Sequence, residues 1–370
     1  MFLSAANVKS IIDGQCGKIK HRFNFFKTKG AEDMTKKIGG RTLKLATPVS
    51  IIASASVVGK KEGEGPLKYC FDFISEDSYF GEETWEKAES HMLKQCFTLC
   101  CNKAQMAPSG LDFVFSGDLL NQCVSSAFAM KDSALPYFGL YGACSTMVES
   151  LALAAMTIDG GFGETACALT GSHFCSAERQ YRFPLEYGGQ RPPTAQWTVT
   201  GAGAAIVSAT GEGPFITHIT PGIIVDAGLK DANNMGAAMA PAAYETIKAH
   251  FADTGRDLNY YDAVFTGDLG ALGHDILQKL FQDDGIEMGP RYMDCGVLMF
   301  DLNTQDVHCG GSGCGCCASV LCGHILKGFA KGTWSKVLVA ATGALMSPVS
   351  CQQGGSIPGI CHAVAIERQW

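Results

Sequence analysis

One cysteine stands where chemistry is easy to arrange. Cys144, within Tyr141-Gly142-Ala143-Cys144-Ser145-Thr146-Met147, lies between an extended segment and an apolar stripe at helical spacing, Met147, Leu151, Ala154 and Ile158. Thr146 followed by Glu149 reads as a capping box, so the spacing predicts a helix that starts at Thr146. The thiol then sits among unpaired N–H groups at the positive end of a helix dipole. That setting favours a thiolate, or an anionic ligand group beside it. The competing reading is a small buried thiol that fills a tight turn.

The elements around Cys144 recur. Val114-Phe115-Ser116-Gly117-Asp118-Leu119 returns 150 residues later as Val264-Phe265-Thr266-Gly267-Asp268-Leu269. The cysteine turn returns as Gly310-Gly311-Ser312-Gly313-Cys314, again leading into a helix of small residues. Each helix is followed by an apolar strand that closes on a Thr-Gly pair, Ala166 to Gly171 and Val337 to Gly343. Gly201 to Val207 is echoed by Cys361 to Ile366. The chain therefore reads as an internal duplication, with halves at 34–215 and 216–370. Each half runs βαβαβ, and buried strands alternating with helices predict a mainly parallel sheet covered by helices. Trp85, Ala88, Met92, Cys96 and Leu99 predict a further helix within 85–106, and Gly59 to Pro66 reads as an exposed loop.

The totals set bounds. At 370 residues, 46% hydrophobic and 18% charged, the chain can bury two packed cores or one duplicated core. A net charge of -7 argues against nucleic acid as a partner. No apolar run approaches the roughly 18 residues that span a bilayer. The 17 cysteines are odd in number and scattered through core segments, which fits a reducing cytoplasm better than a disulfide framework. Cys314 and Cys317 form one CxxC without a second pair at zinc-finger spacing, so neither a structural metal nor a cofactor is expected. Residues 1–33 carry six Lys/Arg against Asp13, Glu32 and Asp33, and Met34 resembles a natural start. This stretch reads as a disordered extension or a mis-assigned start, with a basic arm that touches a membrane or partner as the rival reading.

Two duplicated halves with a cysteine at a helix start between them resemble the thiolase-like fold of the thiolases and ketoacyl synthases. The resemblance implies a layered α-β-α-β-α sandwich. It also implies that Cys144 matches the acyl-carrying nucleophile of the condensing enzymes, served by a His and a second His, Asn or Cys from the second half. Those partners should fall at Thr266 to Asp268, Ser312 to Cys314 and Ser356 to Ile360, and none of these stretches contains a histidine. His173, His274 and His362 could serve only in a remodelled site and otherwise read as hydrogen-bonded structural histidines. Arg179 and Arg182, three apart in the segment Gly171 to Pro192, share a face if helical and could grip carboxylates; a surface or interface loop tied by Glu178 and Glu186 is the equal alternative.

The GACST turn, the paired FSGDLLNQ and FTGDL strands, the NMGAAMAPAA run (Asn234 to Ala243), the GGSGC loop and the segment opening at Ser172 together closely resemble the stage V sporulation AD family of endospore-forming bacteria. That resemblance implies a non-catalytic protein that binds dipicolinic acid, alone or as its calcium chelate, and supports its uptake into the developing spore. It implies stage V sporulation membrane proteins and a second copy of the chain as partners. The implied location is the cytoplasm of the sporulating cell or the periphery of the spore inner membrane. The expected pocket lining is Cys144, Asp268, Ser312 and Cys314, with His173, Arg179 and Arg182 as neighbours. Asp268 would repel a dianion and so orients a donor or binds through water. The alternative is an active ketoacyl synthase-like acyltransferase with Cys144 as its nucleophile.

Overall fold

The two repeated strands occupy matching places near opposite ends of one sheet. In the computed structural model, which describes residues 35–181 and 191–370, the principal strands are β1 (Thr42–Val58), β2 (Phe113–Gly117), β3 (Tyr137–Gly139), β4 (Thr165–Ser172) and β5 (Gly201–Ser208), then β6 (Phe215–Thr220), β7 (Ala263–Thr266), β8 (Tyr292–Asp294), β9 (Lys336–Ala344) and β10 (Gly359–Glu367). They run in the order β8-β7-β9-β10-β6-β1-β5-β4-β2-β3 within a twelve-stranded sheet. The order is a palindrome of the duplication, because β2 answers β7, β4 answers β9 and β5 answers β10. The centre is held by β1, whose first part pairs with β6 and whose second part pairs with β5.

The expected mainly parallel sheet is mixed instead. Among these ten strands parallel pairing is confined to the two ends, β4-β2-β3 and β9-β7-β8, while β4-β5-β1-β6-β10-β9 is antiparallel throughout; the short strand Phe73–Ile74 adds a parallel pairing with the end of β1. Crossover helices carry the chain back to the other end of the sheet between parallel strands, whereas β5 and β10 start at the end where β4 and β9 finish, Gly201 opposite Ser172 and Gly359 opposite Ala344, and so run antiparallel.

Helices α1 (Trp85–Lys103), α2 (Thr146–Asp159), α3 (Phe174–Tyr181), α4 (Met235–Thr254), α5 (Gly270–Asp283) and α6 (Cys314–Val320) complete the layers. Side chains that alternate along each strand go to different cores. Val337, Val339 and Ala341 share a core with Met147 and Leu151 of α2 and Cys317 and Val320 of α6. Leu338 and Ala340 join Met239 and Ile247 of α4. On the other half Val114 and Leu169 pack with Met92 and Cys96 of α1, whereas Phe115 and Ala168 face the central core. Three cores between alternating sheets and helices give the α-β-α-β-α sandwich, with α2 and α6 as its middle layer. Because both faces of each strand are buried, the strands read as continuous apolar runs.

The stretch Gly59 to Pro66 is not simply an exposed loop. Lys60–Gly63 form a helical turn, and Glu62 is buried, its carboxylate accepting a bond from the Thr200 N–H at 2.9 Å.

Candidate functional site

Cys144 stands on a strained turn in front of α2. Ala143 has φ +51°, a region that residues with a Cβ rarely enter. The turn is held locally: Ser145 Oγ donates to the Gly142 carbonyl at 2.7 Å and Thr146 Oγ1 to the Ala143 carbonyl at 2.6 Å. The helix starts at Thr146 as expected, but the capping box is not made. Thr146 Oγ1 also accepts the Gly142 N–H, and Glu149 Oε2 is buried without a hydrogen-bond partner among the described residues. From the other half, Gly343 packs so closely that a Cβ there would lie 2.3 Å from the Gly142 carbonyl oxygen.

The second half supplies a carboxylate beside this thiol and the three donors that hold it. Asp268 follows β7, Ser312 and Gly313 precede α6, and Thr342 lies in β9. The Asp268 carboxylate accepts bonds from Thr342 Oγ1 at 2.9 Å, Gly313 N–H at 3.0 Å and Ser312 Oγ at 3.1 Å. Ser312 Oγ lies 3.9 Å from Cys144 Sγ. Burial, with nearby Asp294 adding to it, pushes Asp268 up to about 7, against an ordinary value of 3.8. Burial likewise pushes the Cys144 thiol well above its ordinary value, and the Asp268 charge adds to that. The proton therefore stays on sulfur rather than passing to Asp268. Where a histidine would form an ion pair with the thiolate, the carboxylate favours the neutral thiol.

A cavity of about 250 Å³ opens beside Cys144 and Ser312. Leu119, Met235, Ala344 and Met346 give it apolar walls, and Tyr141, Tyr181, Thr198 and Asn233 bring polar atoms. Thr198 is placed by a short parallel pairing of Trp197–Thr198 with Gly311–Ser312, which sets it opposite Ser312. Tyr181 O–H donates to the Leu119 carbonyl at 2.7 Å, so in its 2.9 Å contact with Tyr141 it must act as acceptor. Gln180 of α3 donates to the same carbonyl and accepts the Asn121 N–H, which fastens this wall. Among the described residues no Lys or Arg lines the cavity, and Glu178 does. Nor does any group of three or more His, Cys, Asp or Glu among them suit a metal ion.

The structure gathers only part of the set anticipated from sequence. Cys144 and Ser312 line the cavity, and Asp268 stands behind them. Cys314 is buried with its thiol donating to the Gly171 carbonyl at 3.0 Å and lies outside the lining. His173 is a structural residue: Nε2 donates to the Ser78 carbonyl and Nδ1 accepts the Cys175 N–H. Arg179 points away, its guanidinium bound to Glu86 and lying over Trp85. Arg182 lies outside the described residues. His274 stacks on Tyr292, and His362 Nδ1 accepts the Gly222 N–H. Sequence reasoning passed over Tyr181, Thr198, Asn233 and Thr342. Tyr181 sat within a segment already singled out, whereas the other three had no motif to mark them.

Comparison with known proteins agrees with the geometry. The sequence profile of the family described as stage V sporulation protein AD matches residues 39–367. Stage V sporulation protein AD of Bacillus subtilis (strain 168) is 40% identical over 333 residues, covering 90% of this chain and 98% of that protein. Among solved structures, 3-oxoacyl-(acyl-carrier-protein) synthase III of Aquifex aeolicus aligns with a TM-score of 0.54 at 13% identity over 86% of this chain and 99% of its own. Cerulenin-bound OleA of Xanthomonas campestris aligns at 0.55 and 14% identity, over 86% and 96% of the two chains. At such identities these two likenesses establish the thiolase-like fold alone.

Proposed function

Since the chain belongs to the stage V sporulation protein AD family, we propose that it is a thiolase-like receptor that binds dipicolinic acid in the Cys144 cavity and supports its uptake into the developing spore. The observation that carries this reading is the Asp268 carboxylate in the place where a condensing enzyme needs a base. With the proton held on sulfur, Cys144 is a poor acyl acceptor, yet the cavity and the helix start beside it remain. The charge pattern bears on the form of the ligand. With the Asp268 carboxylate near and no Lys or Arg among the described lining residues, a bare dianion is disfavoured. The calcium chelate, which is neutral, or a protonated Asp268 relieves the repulsion.

A second copy of the chain and stage V membrane proteins are the proposed partners. The outer strand β3 presents Phe138 half exposed, which suits pairing of two copies along this edge. Among the described residues no helix is long and apolar enough to cross a membrane, so membrane work falls to partners. Within the sporulating cell, the cytoplasm or the periphery of the spore inner membrane is the proposed location.

The test is calorimetric titration with dipicolinate, with and without calcium, on the native chain and on Cys144→Ala, beside mass spectrometry after incubation with an acyl-CoA. Saturable one-site binding, weakened by the substitution and with no acyl adduct, is expected. A stable adduct that vanishes in the variant, together with no dipicolinate binding, would make the protein an acyltransferase.

A further inference from the structure

A carboxylate that enters the Cys144 cavity must be met by neutral donors, since no Lys or Arg stands among the described lining residues. Which side chains can donate follows from where each hydrogen already goes. The Tyr181 hydroxyl gives its hydrogen to the Leu119 carbonyl, and the Tyr141 hydroxyl therefore gives its own to Tyr181. Ser312 Oγ donates to Asp268 at 3.1 Å. The Cys144 thiol faces the Asp268 and Ser312 oxygens, and its hydrogen is the one left to fill those contacts. None of these four groups keeps a hydrogen for a ligand. Glu178 also lines the cavity and, as a carboxylate, only accepts.

Two polar side chains remain. The Thr198 hydroxyl and the Asn233 amide line the cavity, and neither has a hydrogen-bond partner among the described residues. Both are nevertheless held in place. Trp197–Thr198 runs parallel to Gly311–Ser312, and the Val199 N–H donates to the Ser312 carbonyl at 2.8 Å, which fixes the backbone under Thr198. The Thr198 methyl group packs on Gly313, where an added Cβ would lie 3.1 Å from it.

Asn233 belongs to the turn before α4, where its N–H donates to Asp231 Oδ1 at 2.9 Å. The next residue, Asn234, caps the helix by accepting the Ala237 N–H through its side chain. One asparagine of the pair thus serves the helix, while the other lines the cavity with its amide unused. The start of α4 also brings Met235 into the lining, so the positive end of a twenty-residue helix lies on the Asn233 side.

We propose that Thr198 and Asn233 are the specificity-determining residues of this cavity, each donating a hydrogen bond to a carboxylate of the ligand. The inference rests on the reading of the cavity as a dipicolinate site, and it says which groups choose that ligand. Two donors on separate elements match a planar molecule with a carboxylate at each end. A ligand with one carboxylate leaves one donor unanswered, and a site that hydrogen-bonds its ligand discriminates against an analogue lacking the partner group.

The experiment titrates the full chain by calorimetry with dipicolinate and with pyridine-2-carboxylate, which has a single carboxylate, each with and without calcium. The titrations are repeated on Thr198→Val, which keeps the shape and loses the hydroxyl, on Thr198→Ser, which keeps the hydroxyl, and on Asn233→Ala. The parent is expected to prefer dipicolinate. Thr198→Val and Asn233→Ala should each weaken dipicolinate binding about tenfold or more and narrow the preference, because pyridine-2-carboxylate loses less. Thr198→Ser should keep most of the parent's affinity. Variants with the parent's affinity and preference, or a parent that binds both ligands equally, overturn the assignment and leave the cavity as the dipicolinate site. Equal weakening of both ligands, in Thr198→Ser as in Thr198→Val, makes Thr198 a structural residue and also overturns it. A parent that binds no dipicolinate overturns the reading of the cavity itself, and this inference with it.

Discussion

Replacing Asp268 by Asn should make the fold more stable relative to the parent, and by an amount that grows with pH. The carboxyl group is fully buried and titrates at about 7 in the folded chain, against 3.8 when free. Between those values the folded protein keeps a proton that the unfolded chain releases. Parent stability is therefore highest below about pH 4 and is lost progressively as pH rises to about 7, above which this contribution is flat. At about 1.4 kcal/mol per pH unit, the interval amounts to on the order of 4 kcal/mol, of which about 3 falls between about pH 5 and pH 8. An amide can replace the carboxylate without orphaning its neighbours. Its oxygen takes the place that accepts Gly313 N–H and Ser312 Oγ, its NH₂ faces Thr342, and the Thr342 hydroxyl turns to accept. Urea denaturation followed by circular dichroism at the two pH values gives the difference directly. The other buried acids, Asp118 and Glu89 among them, are present in both proteins and cancel, leaving only the coupling to Asp294. Asp268→Asn should gain on the parent by about 3 kcal/mol on going from the lower to the higher pH. Stability curves that run parallel would refute the buried, proton-holding carboxyl, and with it the explanation for the neutral thiol.

The same substitution should increase alkylation of Cys144 by iodoacetamide at about pH 8, read on its own peptide by mass spectrometry; an unchanged rate would mean that Asp268 does not control the thiol. Gly343→Ala should lower the melting temperature and weaken dipicolinate binding together, since the new methyl meets the Gly142 carbonyl and must displace the Cys144 turn. A variant with native binding would show that the turn tolerates the intrusion. Leu151→Ala removes a fully buried side chain from the middle layer and should cost about 2–5 kcal/mol in urea unfolding; a loss below about 1 kcal/mol would mean that this core collapses around the gap.

What the sequence determines is what depends on near neighbours and on repetition. Apolar stripes at helical spacing placed α1 and α2, with α1 ending at Lys103 inside the expected range. The recurrence of Val114–Leu119 at Val264–Leu269 revealed the duplication, because a copied strand keeps its pattern wherever it is packed. The missing histidines were equally visible, as residue types at defined places. Tertiary structure decided the rest through partners far apart in the chain. Strand direction depends on how each return is made, so β5 and β10 turned out antiparallel although their apolar pattern is that of a buried parallel strand. Ser312 reaches Cys144 across 168 residues and Thr342 reaches Asp268 across 74, distances over which no periodicity speaks. Arg179 shows the opposite limit. Its type and spacing suit a carboxylate ligand, but Glu86 in α1 is the carboxylate it meets. A side chain settles on the partner that folding brings within reach, and local sequence leaves that choice open until the sheets and helices are packed.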